Sequence, residues 1–266
     1  MTGTAGKENI RLKKIFRGAE KTAALSPKFV WTEDEKINES KRLRKAFEDG
    51  TDEGIYKEIV AVTFFSGFNA VTVNSKLPAI YKHFGDPKKV SRFSENELET
   101  ILKDKNIIRN HSKIKACWNN AKKFIEIAKE HGSVKEWILG FGAYEDDERL
   151  ANLIRELRKN FDYLGPRTVY HPLADWGFSV VKPDRMVTRV LYRLGFIPGE
   201  DDSEQNIEAV QTTCRRFARL TGYAIRYVDS TFVSIGQVRE ADICRDKEPR
   251  CNLCYLKPYC GYPECH

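Results

Sequence analysis

Four cysteines near the end of the chain, Cys244, Cys251, Cys254 and Cys260, stand in the spacing C-x6-C-x2-C-x5-C, close enough for four thiolates to converge on one centre. Thiolate sulfur is a soft ligand that suits an iron–sulfur cluster or zinc. Zinc sites usually pair two short knuckles, and only one close pair is present here, so the spacing favours a [4Fe-4S] cluster over zinc or unligated thiols. Cys265 and His266 fall outside the pattern and read as bystanders. A second candidate lies upstream, where Lys182-Pro183-Asp184 interrupts a helical pattern just before the apolar stripe Val187, Val190, Leu191 and Leu194. A carboxylate at a helix start caps the helix, and it can also serve as a fixed anion beside developing positive charge.

The elements that must position these groups read as helices. Apolar residues dominate from Glu53 to Val73, and Leu77, Ile80, Tyr81 and Phe84 give an i, i+3, i+4, i+7 stripe that Gly85-Asp86-Pro87 ends. Ser94 followed by Glu97 is a capping-box signature, and Lys113–Lys129 is amphipathic through Ala116, Cys117, Asn120, Phe124 and Ile127. From Arg149 to Phe178 the pattern is helix, tight turn around Leu164-Gly165-Pro166, then helix. Strand alternation is scarce, so the expected class is all-α.

Hydrophobic residues make up 41% and charged residues 31%, as in an ordinary globular protein, and the formal net charge is +7. Residues 1–30 hold seven Lys or Arg against two Glu, and a second basic stretch runs from Lys105 to Lys129. Such charge favours a polyanionic partner, although a solvated helix face explains the second stretch equally well. No apolar run approaches bilayer length and the N-terminus lacks the apolar core of a secretory signal, so a cytoplasmic, nucleoid-associated location is expected.

The cysteine spacing, with the basic loop "RDKEPR" between its first two members, resembles the endonuclease III and adenine-glycosylase branch of the helix-hairpin-helix DNA glycosylases. The segment "NFDYLGPRTVYHPLADWGF" resembles that family's hairpin, with Tyr163 in place of the usual first glycine and Pro166 removing one N–H donor. The barrel segments "FFSGFNAVTVN" and "IIRNHSKIKACWNNAKKFIEI" resemble 3-methyladenine DNA glycosylase I. The resemblance implies two helical domains with a C-terminal iron–sulfur loop. Residues 1–52 would form a basic arm and helix packing with the C-terminal domain, 53–178 a six-helix barrel ending in the hairpin, and 179–266 the domain of the catalytic-Asp helix and cluster.

What the resemblance implies for chemistry is removal of a damaged or modified base from double-stranded DNA by an enzyme acting as a monomer. Asp184 would be the catalytic carboxylate, 19 residues after Gly165. Leu164, Gly165, Arg167 and Thr168 of the hairpin, with Arg245, Lys247 and Arg250 of the cluster loop, would grip DNA. Phe68 and Asn69 would fill the gap left by the extruded nucleotide, and Val62, Phe64 and Phe65 would line the base pocket. Val62 stands where the family's base-reading glutamate falls, which places recognition of 3-methyladenine in question. Arg167 occupies the position of the strand-cutting lysine and cannot form a Schiff base, so a monofunctional enzyme is expected. Lys182 is the residue that would make it bifunctional, and a non-catalytic iron–sulfur DNA-binding module is the reading from outside enzymology.

Overall fold

In this computed structural model, which describes residues 2–144 and 146–265, the expected all-α class holds: among the described residues there are thirteen α-helices and no strand. In chain order they are α1 (Thr2–Ala23), α2 (Glu33–Asp49), α3 (Asp52–Phe65), α4 (Ala70–Phe84), α5 (Pro87–Val90), α6 (Glu95–Leu102) and α7 (His111–His131). They continue with α8 (Val134–Gly140), α9 (Asp147–Asn160), α10 (Tyr170–Asp175), α11 (Arg185–Arg193), α12 (Glu204–Thr221) and α13 (Ile225–Gly236). The chain divides into two units, one built from Met1–Leu43 with Ser179–His266 and the other from Arg44–Phe178. No helix is long and apolar enough to cross a membrane among the described residues.

The first unit joins both ends of the chain. Leu12, Ile15, Phe16, Ala19 and Ala23 form a stripe on α1 that is buried with Val187, Val190 and Leu191 of α11, Val210 and Phe217 of α12, and Val228 and Phe232 of α13. Phe16 is the hub, its ring 5.5 Å from Phe217 and 6.0 Å from Phe232. The basic N-terminal segment is therefore one face of a helix whose other face is core.

The second unit is organised by α3 and α7. Tyr56 on α3 donates its hydroxyl proton to the Cys117 carbonyl at 2.8 Å and packs edge-on against Phe124. The capping box is present as read, with Ser94 and Glu97 exchanging side-chain and backbone bonds at the start of α6. Asn120, buried on α7, donates to the Asp162 carbonyl and accepts from the Asp162 N–H, so this helix pins the turn after α9 in both directions.

Lys113 is the least expected member of this core. Its ammonium is buried, donates to the carbonyls of Thr63 and Ser66 at the C-terminal end of α3, and lies 4.4 Å from the centre of the Tyr163 ring. Burial holds its pKa below the usual lysine range. A cation at a helix C-terminus complements the dipole there and satisfies carbonyls that the helix cannot. Replacing Lys113 by Met leaves both carbonyls without this donor and is expected to cost about 2–3 kcal/mol of stability, a loss that urea unfolding measures directly.

Candidate active site

Asp184 owes its position to the segment before it. Pro183 cannot continue a helix, and Ser179–Asp184 runs non-helical between Phe178 and α11. A buried extended backbone needs partners for its polar groups, and side chains supply them. Arg215 donates to the Ser179 carbonyl at 2.9 Å. Gln211, one helical turn earlier on α12, accepts from the Val181 N–H at 3.0 Å and donates to the Val181 carbonyl at 2.8 Å. Asp229 on α13 then accepts from the Lys182 N–H at 3.3 Å. The next residues reach α11, where Asp184 is the N-cap: its Oδ1 accepts from the N–H groups of Met186 and Val187, both at 2.9 Å.

The carboxylate lines a cavity of about 380 Å³ within the first unit. Lys182 and Asp184 form one side. Arg226, Asp229, Ser230 and Val233, spaced as one face of α13, form another, and Gln237 and Glu240 continue beyond the helix end. Lys28, Phe29 and Trp31 come from the linker between α1 and α2. Sequence reading missed Asp229 and Trp31: one sits in a helix otherwise read as core, the other in a linker with no periodicity.

Asp229 is 1% exposed and ion-paired with Arg226 at 2.8 Å. Burial pushes its carboxyl up to about 7, opposed by the Arg226 guanidinium and reinforced by the charge of Asp184. Two carboxyl groups thus share one cavity, with the environment of one set to hold a proton near neutrality. Such an arrangement can fix an anion, orient a water molecule and hold a proton beside it.

The hairpin lies in the second unit. Tyr163, standing where the family's glycine would be, takes that residue's conformation with φ at 65°, a cost that a side chain seldom accepts. The Thr168 hydroxyl closes the turn, donating to the Tyr163 carbonyl and accepting from the Gly165 N–H at 2.8 Å. The Gly165 donor is therefore used inside the turn. Leu164 is 1% exposed and belongs to the core, so its side chain is not offered to DNA. The second helix begins at Tyr170, not near Arg167, because Pro166 and the Thr168 closure occupy the first turn. On the opposite side of Lys113, the turn after α3 carries Phe68, 40% exposed and 5.3 Å from the Lys113 ammonium, and Asn69, which caps α4 through the Val71 N–H. Phe64 is 0% exposed and packs against Phe84, and Val62 is also buried; both fill the core and do not line an opening, while Phe65 is half-buried.

The cysteine tail differs from expectation. Cys251 is disulfide-bonded to Cys265, which was read as a bystander, and the Cys260 sulfur lies 3.8 Å from that of Cys265. The Arg193 guanidinium donates to the Cys244 sulfur at 3.5 Å and to the Arg245 carbonyl at 2.8 Å, and stacks on Tyr262. Burial pushes the Cys244 thiol up to about 11 and raises that of Cys254. Among the described residues no group of three or more His, Cys, Asp or Glu side chains is arranged to hold a metal ion. Cys244, Cys251, Cys254 and Cys260 do not fit a [4Fe-4S] cluster, and spacing alone misled because it does not reveal a fifth cysteine's pairing. His266 lies outside the described residues. Arg245 and Arg250 both face Asp242, and Lys247 is exposed.

A family model described as methyladenine glycosylase matches residues 46–184, ending at the candidate carboxylate and upstream of every cysteine in the tail. Among solved structures, a variant of 3-methyladenine DNA glycosylase I in complex with 3-methyladenine is 20% identical, the match covering 54% of this chain and 91% of that one with a TM-score of 0.43. For another structure of 3-methyladenine DNA glycosylase I the values are 21%, 51%, 87% and 0.42. For the Staphylococcus aureus enzyme they are 20%, 53%, 91% and 0.43. Methyladenine glycosylases need no iron–sulfur cofactor, which agrees with the side-chain pairing in the tail. The non-catalytic iron–sulfur module falls with the cluster.

The raised carboxyl of Asp229 has a consequence for stability. Its folded pKa lies above the ordinary value of 3.8, so between the two the folded chain binds the proton more tightly than the unfolded chain. This group's contribution therefore falls as pH rises from about 4 to about 7 and is level above that. Thermal unfolding of wild type and Asp229→Asn across this range should show the variant gaining several degrees on wild type as pH rises.

Proposed function

The chain belongs to the methyladenine glycosylase family and is a DNA N-glycosylase, and we propose that it excises an alkylated base from duplex DNA by hydrolysis, with Asp184 as the catalytic carboxylate and without cutting the strand. The observation that carries this reading is the cavity in which Asp184 is held on the N-terminus of α11 beside the buried Asp229. Breaking a base–sugar bond builds positive charge on the deoxyribose. An anion fixed by two N–H donors stabilises that charge without having to reorganise, and it orients the attacking water. Asp229, which binds the Lys182 N–H, fixes the approach of the loop and holds a proton next to the reacting centre.

The target must leave the stack to reach such a cavity. Phe68, exposed on a turn braced by Lys113, fits the space an extruded nucleotide leaves, and Asn69 beside it is a polar neighbour for the opposite strand. Arg167, Thr168 and Gly165 of the hairpin, with Lys247, Arg245 and Arg250 of the tail, supply groups for phosphates, Lys247 being the one in an exposed position. A bifunctional reading has one observation in its favour: Lys182 lines the same cavity as Asp184.

Asp184→Asn keeps an N-cap and is expected to fold, to bind lesion DNA with unchanged or higher affinity, and to lose about 10²- to 10⁴-fold in single-turnover base release. Unchanged release would refute the assignment. Duplexes carrying 3-methyladenine, 7-methylguanine, uracil or 8-oxoguanine identify the base. Borohydride treatment of the enzyme on its substrate should trap no covalent adduct; an adduct lost in Lys182→Ala would establish the lyase instead.

A further inference from the structure

The cavity around Asp184 has a wall that the hydrolytic reading leaves unassigned. The linker between α1 and α2 is pinned at both ends. The buried Ser26 hydroxyl accepts from the Lys28 N–H at 3.2 Å, and its carbonyl accepts from the Phe29 N–H at 3.1 Å. At the other end Thr32 and Glu35 form a capping box for α2. Between these anchors the side chains alternate: Val30 is 78% exposed, while Phe29 and Trp31 turn into the cavity and rest on Tyr227, with ring centroids 5.8 and 5.3 Å away. The Tyr227 hydroxyl is itself held by Glu20 at 2.8 Å. Two aromatic rings are thus fixed in the cavity that contains the carboxylate.

We infer that Phe29 and Trp31 form the stacking wall of the base slot, and that this slot takes a purine alkylated on a ring nitrogen, with Gln237 and Glu240 at its hydrogen-bonding edge. This rests on the reading of the Asp184 cavity as the active site. A base still joined to a sugar whose C1′ is beside Asp184 must lie within that cavity, and the segment from Ala24 to Thr32 gives it two π faces. A fused two-ring base overlaps an indole more fully than a pyrimidine does, and stacking of this kind is worth about 1–3 kcal/mol per base. A purine alkylated on a ring nitrogen is cationic while attached to the sugar, and π faces attract cations. Formal charges on the lining residues balance, with Lys28, Lys182 and Arg226 against Asp184, Asp229 and Glu240, and Arg226 is already paired with Asp229. The rings and the Glu240 acceptor therefore make the selection. Glu240 only accepts, which suits an exocyclic amine; the Gln237 amide offers both a donor and an acceptor.

The test separates the slot from the chemistry by using free bases, which bind without being cleaved. Calorimetric titration of the full chain with 3-methyladenine, 7-methylguanine and uracil should give binding of the two purines and at least about tenfold weaker binding of uracil. Trp31→Ala should weaken purine binding about tenfold, from the lower part of the stacking range, and Trp31→Phe by less. Glu240→Ala should weaken 3-methyladenine binding, and Asp184→Asn should bind it as wild type does. Purine affinity unchanged in both Trp31→Ala and Glu240→Ala, uracil held as tightly as the purines, or no base bound by wild type would each overturn the slot. If Trp31→Ala fails to fold by its thermal melt, Trp31→Phe and Glu240→Ala carry the decision, and wild-type affinity in both overturns it. Failure of the Asp184 assignment shows in base release instead, and leaves the titrations unchanged.

Discussion

The extended segment from Ser179 to Asp184 cannot bond its own backbone as a helix does, and in an all-helical unit no neighbouring strand exists to bond it either. The requirement is met by side chains at a matching repeat. Two residues of extended chain span about 6.6 Å and four residues of helix rise about 6.0 Å, so Arg215 and Gln211, one turn apart on α12, reach Ser179 and Val181 in register. Asp229 takes the next N–H, and Asp184 then hands the chain to α11. The position of the carboxylate is the end point of this ladder of bonds, which explains why a buried glutamine and a buried aspartate occur in otherwise apolar helices.

Satisfying that backbone brings a charge problem. A carboxyl group taken out of water is costly unless it is paired or protonated, and Asp229 has one guanidinium partner and a second carboxylate nearby. The result is a group whose proton is held into the neutral range at the floor of the cavity. Buried acids serving only as struts can be replaced by amides with little loss, since an amide also accepts from an N–H. An acid is retained with purpose where the proton itself has work to do, and the chemistry at Asp184 supplies such work.

Features that follow from local rules were legible in the residues. The capping box at Ser94, the amphipathic face of α7 and the helix start at Asp184 each depend on a few neighbouring side chains. Features set by distant partners were not. Phe64 has the type and place of a pocket residue, yet Phe84 and the rest of the barrel core enclose it. Spacing of Cys244, Cys251, Cys254 and Cys260 gave a pattern of ligands, but Arg193 and Cys265 claim two of those sulfurs. At the hairpin, the left-handed backbone usually reserved for glycine survives with a tyrosine, because its ring packs over the buried Lys113 ammonium and its carbonyl is held by Thr168. Glu58, one turn before Val62 on α3, accepts from the buried Trp176 indole, a pairing that spans most of the second unit and leaves no trace in local periodicity.

α13 connects these two kinds of information. Tyr227 and Asp229 are two residues apart, about 200° around the helix, and so face different partners. Tyr227 meets Phe29 and Trp31 from the start of the chain, while Asp229 meets Lys182 from the segment before α11. One rigid helix thereby sets the distance between an aromatic wall and a carboxylate that lie some 150 residues apart in sequence. Each of its contacts is unremarkable as core packing or as an ion pair. Together they create a cavity that exists only when both ends of the chain are folded onto the same helix, so its aromatic wall and its acid cannot be arranged independently of one another.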